Sequence, residues 1–136
     1  MIVVIDNNIV LDALLEREPF FADATEALSV CASGHSGYLT ANSLTDIYYV
    51  LSKSMKASAA KQIIRKLMGL FGIISITETD CINALELAMD DFEDALIVAC
   101  GVKVSAELIV SRDSAFEQST SPIEVVSPAE FLLLGN

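Results

Sequence analysis

The sequence predicts an α/β fold, a three-layer α/β/α sandwich with a central, mostly parallel sheet of four or five strands. Short apolar runs rich in β-branched residues recur along the chain, and stretches with apolar residues at helical spacing separate them. Such alternation is typical of parallel sheets with helices on both faces. The 136 residues, 53% of them hydrophobic, suffice for one core, so we expect a single domain over residues 1–136.

The individual strands are predicted where apolar runs end in polar residues, and the helices where apolar residues recur every three or four positions. Strands are expected at residues 2–5, 38–41, 73–76, 108–111 and 123–126. Helices are expected at residues 9–14, 22–33, 43–54, 57–70, 78–89 and 92–102, with a last helical turn near 128–131. No internal repeat or low-complexity segment interrupts this order, which supports one domain.

Composition and charge exclude several classes of protein. No apolar run approaches the roughly 20 residues of a membrane helix, and the N-terminus lacks the basic and small-residue features of a secretion signal. The three cysteines are scattered without CxxC spacing, so we expect reduced thiols in a cytoplasmic protein. A net charge of −11 argues against a nucleic-acid coat protein. No P-loop or GxSxG motif occurs.

Aspartates stand where a parallel sheet would form a site. Asp6 and Asp113 follow the first and fourth predicted strands, and Asp46 is expected in the first turn of the helix after the second strand. Asp91 and Asp94, three residues apart, open the helix before the fourth strand and share one helix face. Because ligands bind beyond the carboxyl ends of parallel strands, these side chains are candidates for one pocket.

Such convergence would carry an electrostatic cost. Two like charges about 4 Å apart repel by about 1 kcal/mol in water and by about 4 kcal/mol at an effective dielectric constant of 20. A divalent cation would remove this repulsion, and carboxylate oxygens favour Mg²⁺ or Mn²⁺. A carboxylate site with such a cation is typical of phosphodiester hydrolysis. Each acid by itself could also be a helix cap or a turn residue, and that alternative stays open here.

Five segments in order resemble the motifs of PIN domains. DNNIVLDALL is similar to the opening motif, LTDIYYVL to the helix with the second acid, and DFEDALIVACG to the helix with the third. LIVSRDSAF resembles the strand with the fourth acid, and VVSPAEFL the last strand and helix. The resemblance covers essentially the whole chain. It implies a single PIN-like nuclease domain and a metal-dependent ribonuclease, often the toxin of a toxin–antitoxin pair of the VapC type.

The resemblance also implies roles for individual residues. The catalytic, metal-binding acids would be Asp6, Asp46, Asp94 and Asp113, with Mg²⁺ or Mn²⁺ as cofactor. Supporting residues would be Asn8, which matches the asparagine that holds the first acid, the additional acid Asp91, and Ser111.

The sequence departs from the PIN pattern at three positions. Asn7 replaces a Thr or Ser, Asp46 stands where Glu is commoner, and Ala115 stands where many relatives carry Asp. The side chain of Asp46 is about one methylene shorter than that of Glu. With Ala at position 115, Asp113 would be the single acid that its segment contributes to the predicted site. A catalytically inert PIN-like binding module is therefore an alternative, as is a PIN nuclease of RNA processing outside toxin–antitoxin systems.

The partners expected from the resemblance are RNA, an antitoxin protein and a second copy of the chain in a homodimer. The dimer surface could lie near Phe20 and Phe21 or along the helices of residues 48–67. Five of the eight basic residues lie within positions 53–66, and RNA contacts are predicted for Lys53, Lys56, Lys61 and Arg65. A solvated helix face is the other interpretation of this basic cluster. His35, between two glycines, is interpreted as a surface-loop residue.

Overall fold

The computed structural model describes residues 1–33 and 36–134, and they form one central sheet of five strands. Their order across the sheet is β3-β2-β1-β4-β5, and all four neighbouring pairs are parallel. The predicted central parallel sheet is confirmed, and its pairing is parallel throughout. The strands are β1 (Ile2–Ile5), β2 (Ser36–Thr40), β3 (Gly72–Ile74), β4 (Leu108–Val110) and β5 (Glu124–Val126). His35 lies outside the described residues, so its interpretation stays a prediction.

Helices connect the strands and cover both faces of the sheet. They are α1 (Asn7–Leu14), α2 (Phe21–Ser33), α3 (Ala41–Leu51), α4 (Ala57–Leu70), α5 (Glu78–Glu86), α6 (Phe92–Lys103), α7 (Ser114–Glu117) and α8 (Pro128–Leu134). The short helix α7 was not predicted, because it is only four residues long and no apolar period can develop over that length. None of the described helices has the length and apolar character that a membrane span requires.

The two faces of the sheet bury separate cores. In β1, Val3 and Ile5 pack into the core under α1, α2, α3 and α8, whereas Val4 packs into the core under α6. In β4, Val110 belongs to the first core and Ile109 to the second. This alternation follows from the twofold period of a strand, and burial on both faces explains why the central strands are apolar throughout. The three-layer sandwich predicted from the sequence is thereby confirmed.

Helix α3 begins two residues earlier than the sequence predicts. Strand β2 ends at Thr40, and Ala41 is already helical, so Asp46 lies in the second turn of α3. The expectation that Asp46 stands in the first turn was wrong. Ser43, predicted to open the helix, is instead buried within it and shares a 2.9 Å hydrogen bond with the hydroxyl of Thr40. No capping box forms between Ser43 and Asp46, because Thr40 occupies the N-cap position.

The register of β1 and β4 brings two predicted site segments side by side. Ile5 pairs with Val110, and the amide of Asp6 donates a 2.9 Å hydrogen bond to the carbonyl of Val110. The amide of Ser111 continues the ladder with a 3.0 Å bond to the carbonyl of Val126. Asp6 and Ser111 therefore leave adjacent strands at the same sheet edge.

Candidate active site

A cavity of about 380 Å³ opens at the carboxyl edge of the sheet. The segments that follow β1 and β4 and one side of each of the helices α1, α3 and α6 supply its walls. Its lining includes the four predicted catalytic acids, the predicted additional acid and one acid that sequence reasoning missed: Asp6, Asp46, Asp94, Asp113, Asp91 and Glu93. None of the described residues in this lining is basic. The fold thus gathers six carboxylates from four separate segments around one space.

Asp6 is the most enclosed of these acids, with 6% of its surface exposed. Its Oδ2 accepts a 2.8 Å hydrogen bond from the hydroxyl of Ser111, whose Oγ also accepts a 3.1 Å bond from the amide of Asp113. Asp6 occupies the N-cap position of α1, but its side chain makes no capping hydrogen bond. One buried hydroxyl therefore links the first and fourth predicted acids.

Asp46 is held by Asn7 from the neighbouring helix. The Asn7 amide donates a 3.0 Å hydrogen bond from Nδ2 to Oδ2 of Asp46. Asn7 is one of the positions at which the sequence departs from the PIN pattern, and its amide contacts one of the predicted catalytic acids. Asn8 also lines the cavity, and its predicted role of holding Asp6 stays a prediction.

Two of the acids also cap helices. Asp91 is the N-cap of α6 and accepts a 3.0 Å hydrogen bond from the amide of Asp94. Asp113 is the N-cap of α7 and accepts a 2.9 Å bond from the amide of Ala115. Capping and placement in the cavity therefore coexist at both residues. Ala115 lines a second cavity of about 320 Å³, which shares Asp91 and Asp94 with the first.

Glu93 was not singled out from the sequence. It lies in the first turn of α6, where acidic residues are common because they interact favourably with the helix dipole, and nothing marked it as different. In the structure it lines the cavity, and Asp46 is close enough to contribute to raising its pKa. Its side chain is one methylene longer than that of Asp46, the acid that stands where Glu is commoner.

The crowding of these acids shifts their protonation. Burial, followed by the charges of Asp91, Asp6 and Asp113, raises the pKa of Asp94 to about 7. Burial also raises the pKa of Asp6 above its usual value, although the Ser111 hydrogen bond opposes this. The pKa of Glu93 is raised as well, first by burial and then by Asp46. The cavity therefore concentrates negative charge, and no basic side chain among the described residues lines it.

The donor set fits a hard divalent cation. All six acidic groups supply oxygen, and no sulfur or imidazole ligand lines the cavity among the described residues. In residues 1–33 and 36–134, however, no three acidic, histidine or cysteine side chains are already grouped so that they could hold an ion as they stand. Mg²⁺ keeps several water ligands and binds through one or two carboxylates, so its binding does not require a preformed cage.

The basic residues predicted to contact RNA lie in different surroundings. Lys53 places its ammonium 4.7 Å from the ring centroid of Tyr49, and Tyr49 lines the acidic cavity. Lys61 and Arg65 instead line an apolar recess against Tyr48. Lys56 is exposed at the N-cap of α4. Within the described structure, Lys53 is thus the basic residue joined to the cavity through a lining side chain, and the RNA contact of each lysine and of Arg65 stays a prediction.

Comparison with known families gives a direct result. The sequence model of the PIN domain matches residues 2–115. The chain belongs to the PIN-domain family. Its match spans β1 to α7 and so includes every acid of the cavity. Comparison with curated protein sequences gives no match.

Solved structures with this PIN fold include toxin–antitoxin complexes. VapBC2 from Rickettsia felis bound to a promoter DNA fragment aligns with a TM-score of 0.69 at 18% identity, covering 93% of this chain and 98% of that one. VapBC-1 from nontypeable Haemophilus influenzae gives 0.69 at 13% identity, covering 95% and 99%. A toxin–antitoxin complex from Klebsiella pneumoniae gives 0.67 at 20% identity, covering 93% and 97%. This PIN domain therefore shares its fold with components of these complexes.

Proposed function

We propose that this PIN domain is a metal-dependent endoribonuclease that hydrolyses RNA phosphodiester bonds. The observation that carries the proposal is the placement of Asp6, Asp46, Asp94 and Asp113 around one cavity without a basic side chain among the described lining. Carboxylates crowded in this way are costly unless a cation offsets their charge. The PIN-family match over residues 2–115 supports the same interpretation.

The four predicted catalytic acids and Glu93 are the groups that would hold Mg²⁺ or Mn²⁺. When bound, such a cation supplies Lewis-acid stabilisation of phosphate charge and lowers the pKa of water. Ser111 fixes the carboxylate of Asp6 with its 2.8 Å hydrogen bond, and Asn7 fixes that of Asp46 at 3.0 Å. The pKa of Asp94 is raised to about 7 in the metal-free protein, and a bound cation would keep this carboxylate ionised.

The protein's remaining charges would orient the polyanionic substrate. An acidic cavity repels phosphate, so the strand must be held from the rim. Tyr49 is 64% exposed there and carries Lys53 over its ring, which offers a base-stacking surface beside one positive charge. We assign substrate contact first to these two residues.

The biological setting we propose is that of the toxin in a toxin–antitoxin pair. The similar solved structures are toxin–antitoxin complexes, and the aligned regions cover nearly the full length of both chains. An antitoxin protein would then be the physiological partner and a homodimer the expected assembly. Titration with the product of an adjacent small gene should suppress cleavage stoichiometrically if this setting is right.

Cleavage of a defined single-stranded RNA tests the activity itself. Purified protein should cut end-labelled RNA with Mn²⁺ and stop when EDTA is added. Asp6→Asn and Asp94→Asn should each lose several orders of magnitude of activity. Loss of one essential acid–base group typically costs roughly 10²–10⁴-fold in rate, and the loss here should be at least as large. Glu26→Gln removes an exposed charge outside the cavity and serves as the matched control. Mn²⁺-dependent cleavage that survives in both Asp variants would refute the assignment.

A further inference from the structure

We propose that the ion pair between Asp12 and Arg112 positions the catalytic turn of this domain. The pair fixes residues 111–113, and thereby holds the carboxylate of Asp113 towards that of Asp6. Arg112 and Asp12 are thus positioning residues and do not themselves contact substrate. The inference rests on the proposed function, because the site that the pair serves is the proposed metal-binding site.

The pair has a defined geometry around a buried carboxylate, although the Arg112 side chain itself is 29% exposed. Asp12 is fully buried in α1. Its Oδ2 accepts a 2.5 Å hydrogen bond from Nε of Arg112, and its Oδ1 accepts a 3.2 Å bond from Nη2. A two-point contact of this kind fixes the orientation of a guanidinium as well as its position. Nη1 of Arg17 lies 3.6 Å from the same carboxylate as a second, more distant cation.

The two partners lie on the two segments that carry Asp6 and Asp113. Asp12 belongs to the helix that begins directly after Asp6, and Arg112 stands between Ser111 and Asp113. Residue 111 is tied to Asp6 at 2.8 Å, and residue 112 to Asp12. Consecutive residues of the turn are therefore each anchored to the segment from 6 to 12. Rotation of the turn would break these contacts together.

Arg112 lies outside the lining of the acidic cavity and also stacks on an aromatic ring. Its guanidinium carbon is 4.0 Å from the ring centroid of Phe20. Both side chains line a recess of about 240 Å³ with Pro128 and Glu117, distinct from the acidic cavity. Stacking on an aromatic face restricts the guanidinium plane and favours its charged form. Arg112 does not line the acidic cavity, so it can act on the site through the backbone of the turn and through its charge, whose attraction to Asp6 and Asp113 helps to raise its own pKa. Arg112→Lys keeps that charge and so isolates the contribution of the backbone.

Arg112→Lys is the decisive variant, because it keeps the positive charge and removes the two-point contact. Calorimetric Mn²⁺ titration should show a dissociation constant about 10-fold higher than in the wild type, the lower range for residues that orient metal ligands. Arg17→Lys, which alters the more distant partner of Asp12, should bind Mn²⁺ like the wild type. In an Asp113→Asn background, Arg112→Lys should cause no further loss, because the ligand that it positions is already gone.

Amide hydrogen exchange in EDTA tests the positioning without metal. The amides of Asp113 and Ala115 are protected by bonds of 3.1 and 2.9 Å, and both should exchange faster in Arg112→Lys. Core amides such as that of Val98 should keep their wild-type rates. Phe20→Leu weakens the stacking on Arg112 at a partly exposed position. It should raise the exchange rates of the same two amides, but by less than Arg112→Lys does. This second variant decides the matter if Arg112→Lys does not fold.

Each outcome has one meaning. Unchanged exchange at Asp113 and Ala115 in both variants overturns the positioning role. An equal loss of Mn²⁺ affinity with and without Asp113→Asn shows general destabilisation and overturns it too. If the wild type binds no Mn²⁺, the proposed function fails, and the exchange measurement alone still decides whether the ion pair holds the turn.

Discussion

The hydroxyl of Ser111 donates a 2.8 Å hydrogen bond to Oδ2 of Asp6 across two neighbouring parallel strands. Ser111 is completely buried and Asp6 is nearly so. The two residues are 105 positions apart in the chain, and the pairing of β1 with β4 makes them adjacent. The same hydroxyl accepts a hydrogen bond from the amide of Asp113. Loss of the Ser111 hydroxyl would therefore loosen two of the proposed ligands at once.

Replacing Ser111 by Ala should therefore weaken Mn²⁺ binding by about 10-fold, the lower range for residues that orient metal ligands. The pKa of Asp6 should rise further, because the hydrogen bond to Ser111 now lowers it. Mn²⁺ calorimetry at pH 7.5 measures the first effect. Ser121→Ala is the matched control, since its hydroxyl donates to the carbonyl and accepts from the amide of Ile123 and lines neither cavity that contains the proposed ligands. Equal affinities in the two variants would contradict the role given to Ser111.

The stability of the metal-free protein should fall as the pH rises through the neutral range. The pKa of Asp94 in the folded protein is raised from 3.8 to about 7, so between about pH 4 and pH 7 the folded state binds more protons than the unfolded state. Stability gained from this group is full below pH 4 and is lost as the pH rises through 7. Asp80, whose pKa is lowered by Lys103, acts in the opposite sense but only below about pH 4.

Urea unfolding in EDTA at pH 5, 6, 7 and 8 measures this dependence. Asp94→Asn should flatten the decline between pH 5 and pH 8, and Glu26→Gln should leave it as in the wild type. Saturating Mn²⁺ should reverse the trend, because ionised carboxylates bind the cation and a ligand at 100 times its dissociation constant adds about 2.7 kcal/mol. A wild-type stability that rises from pH 5 to pH 8 in EDTA would rule out the crowding of these acids.

The fold and most of the acids could be predicted because both depend on local pattern. Asp6 directly follows an apolar run and Asp113 comes three residues after one, and the carboxyl ends of parallel strands lie at one edge of the sheet whatever the conformation of the loops. The turn of α3 that carries Asp46 could not be placed, because the start of that helix depends on where β2 stops pairing with its neighbours. Helix boundaries of this kind are set by tertiary contacts more than by propensity.

The long-range side-chain contacts could not be predicted from the sequence. Asn7 meets Asp46 from 39 positions away, and Arg112 meets Asp12 from 100 positions away. Neither pair follows a helical or strand period, so only the assembled sheet reveals them. Glu93 was missed for a different reason, since an acid in the first turn of a helix is ordinary by itself.

Replacing Glu93 by Gln should reveal whether this residue contributes to metal binding together with Asp46, whose side chain is one methylene shorter than that of Glu. Its carboxyl group lines the same cavity as Asp46, which contributes to raising its pKa, so its removal should weaken Mn²⁺ binding by about 10-fold. In EDTA the variant should be at least as stable as the wild type, because one of the charges that raise the pKa of Asp94 is gone. Glu78→Gln, in the first turn of α5, is the matched control. Unchanged affinity in Glu93→Gln would assign Glu93 to helix capping electrostatics alone.

Tyr49 and Lys53 should govern RNA affinity more than the chemical step. A stacked base contributes about 1–3 kcal/mol, so Tyr49→Ala should raise KM by about 10-fold with little change in kcat, whereas Tyr49→Phe should keep the wild-type KM. Lys53→Gln should raise KM and reduce its dependence on salt. Lys61→Gln alters a residue that lines the separate recess beside Tyr48, and it should do neither.

Fluorescence of RNA containing 2-aminopurine, bound to the Asp94→Asn variant, reports stacking directly and should lose its quenching only with Tyr49→Ala. Quenching that persists in Tyr49→Ala would place the substrate elsewhere on the rim, and equal effects of Lys53→Gln and Lys61→Gln would restore the interpretation of a diffuse basic helix face.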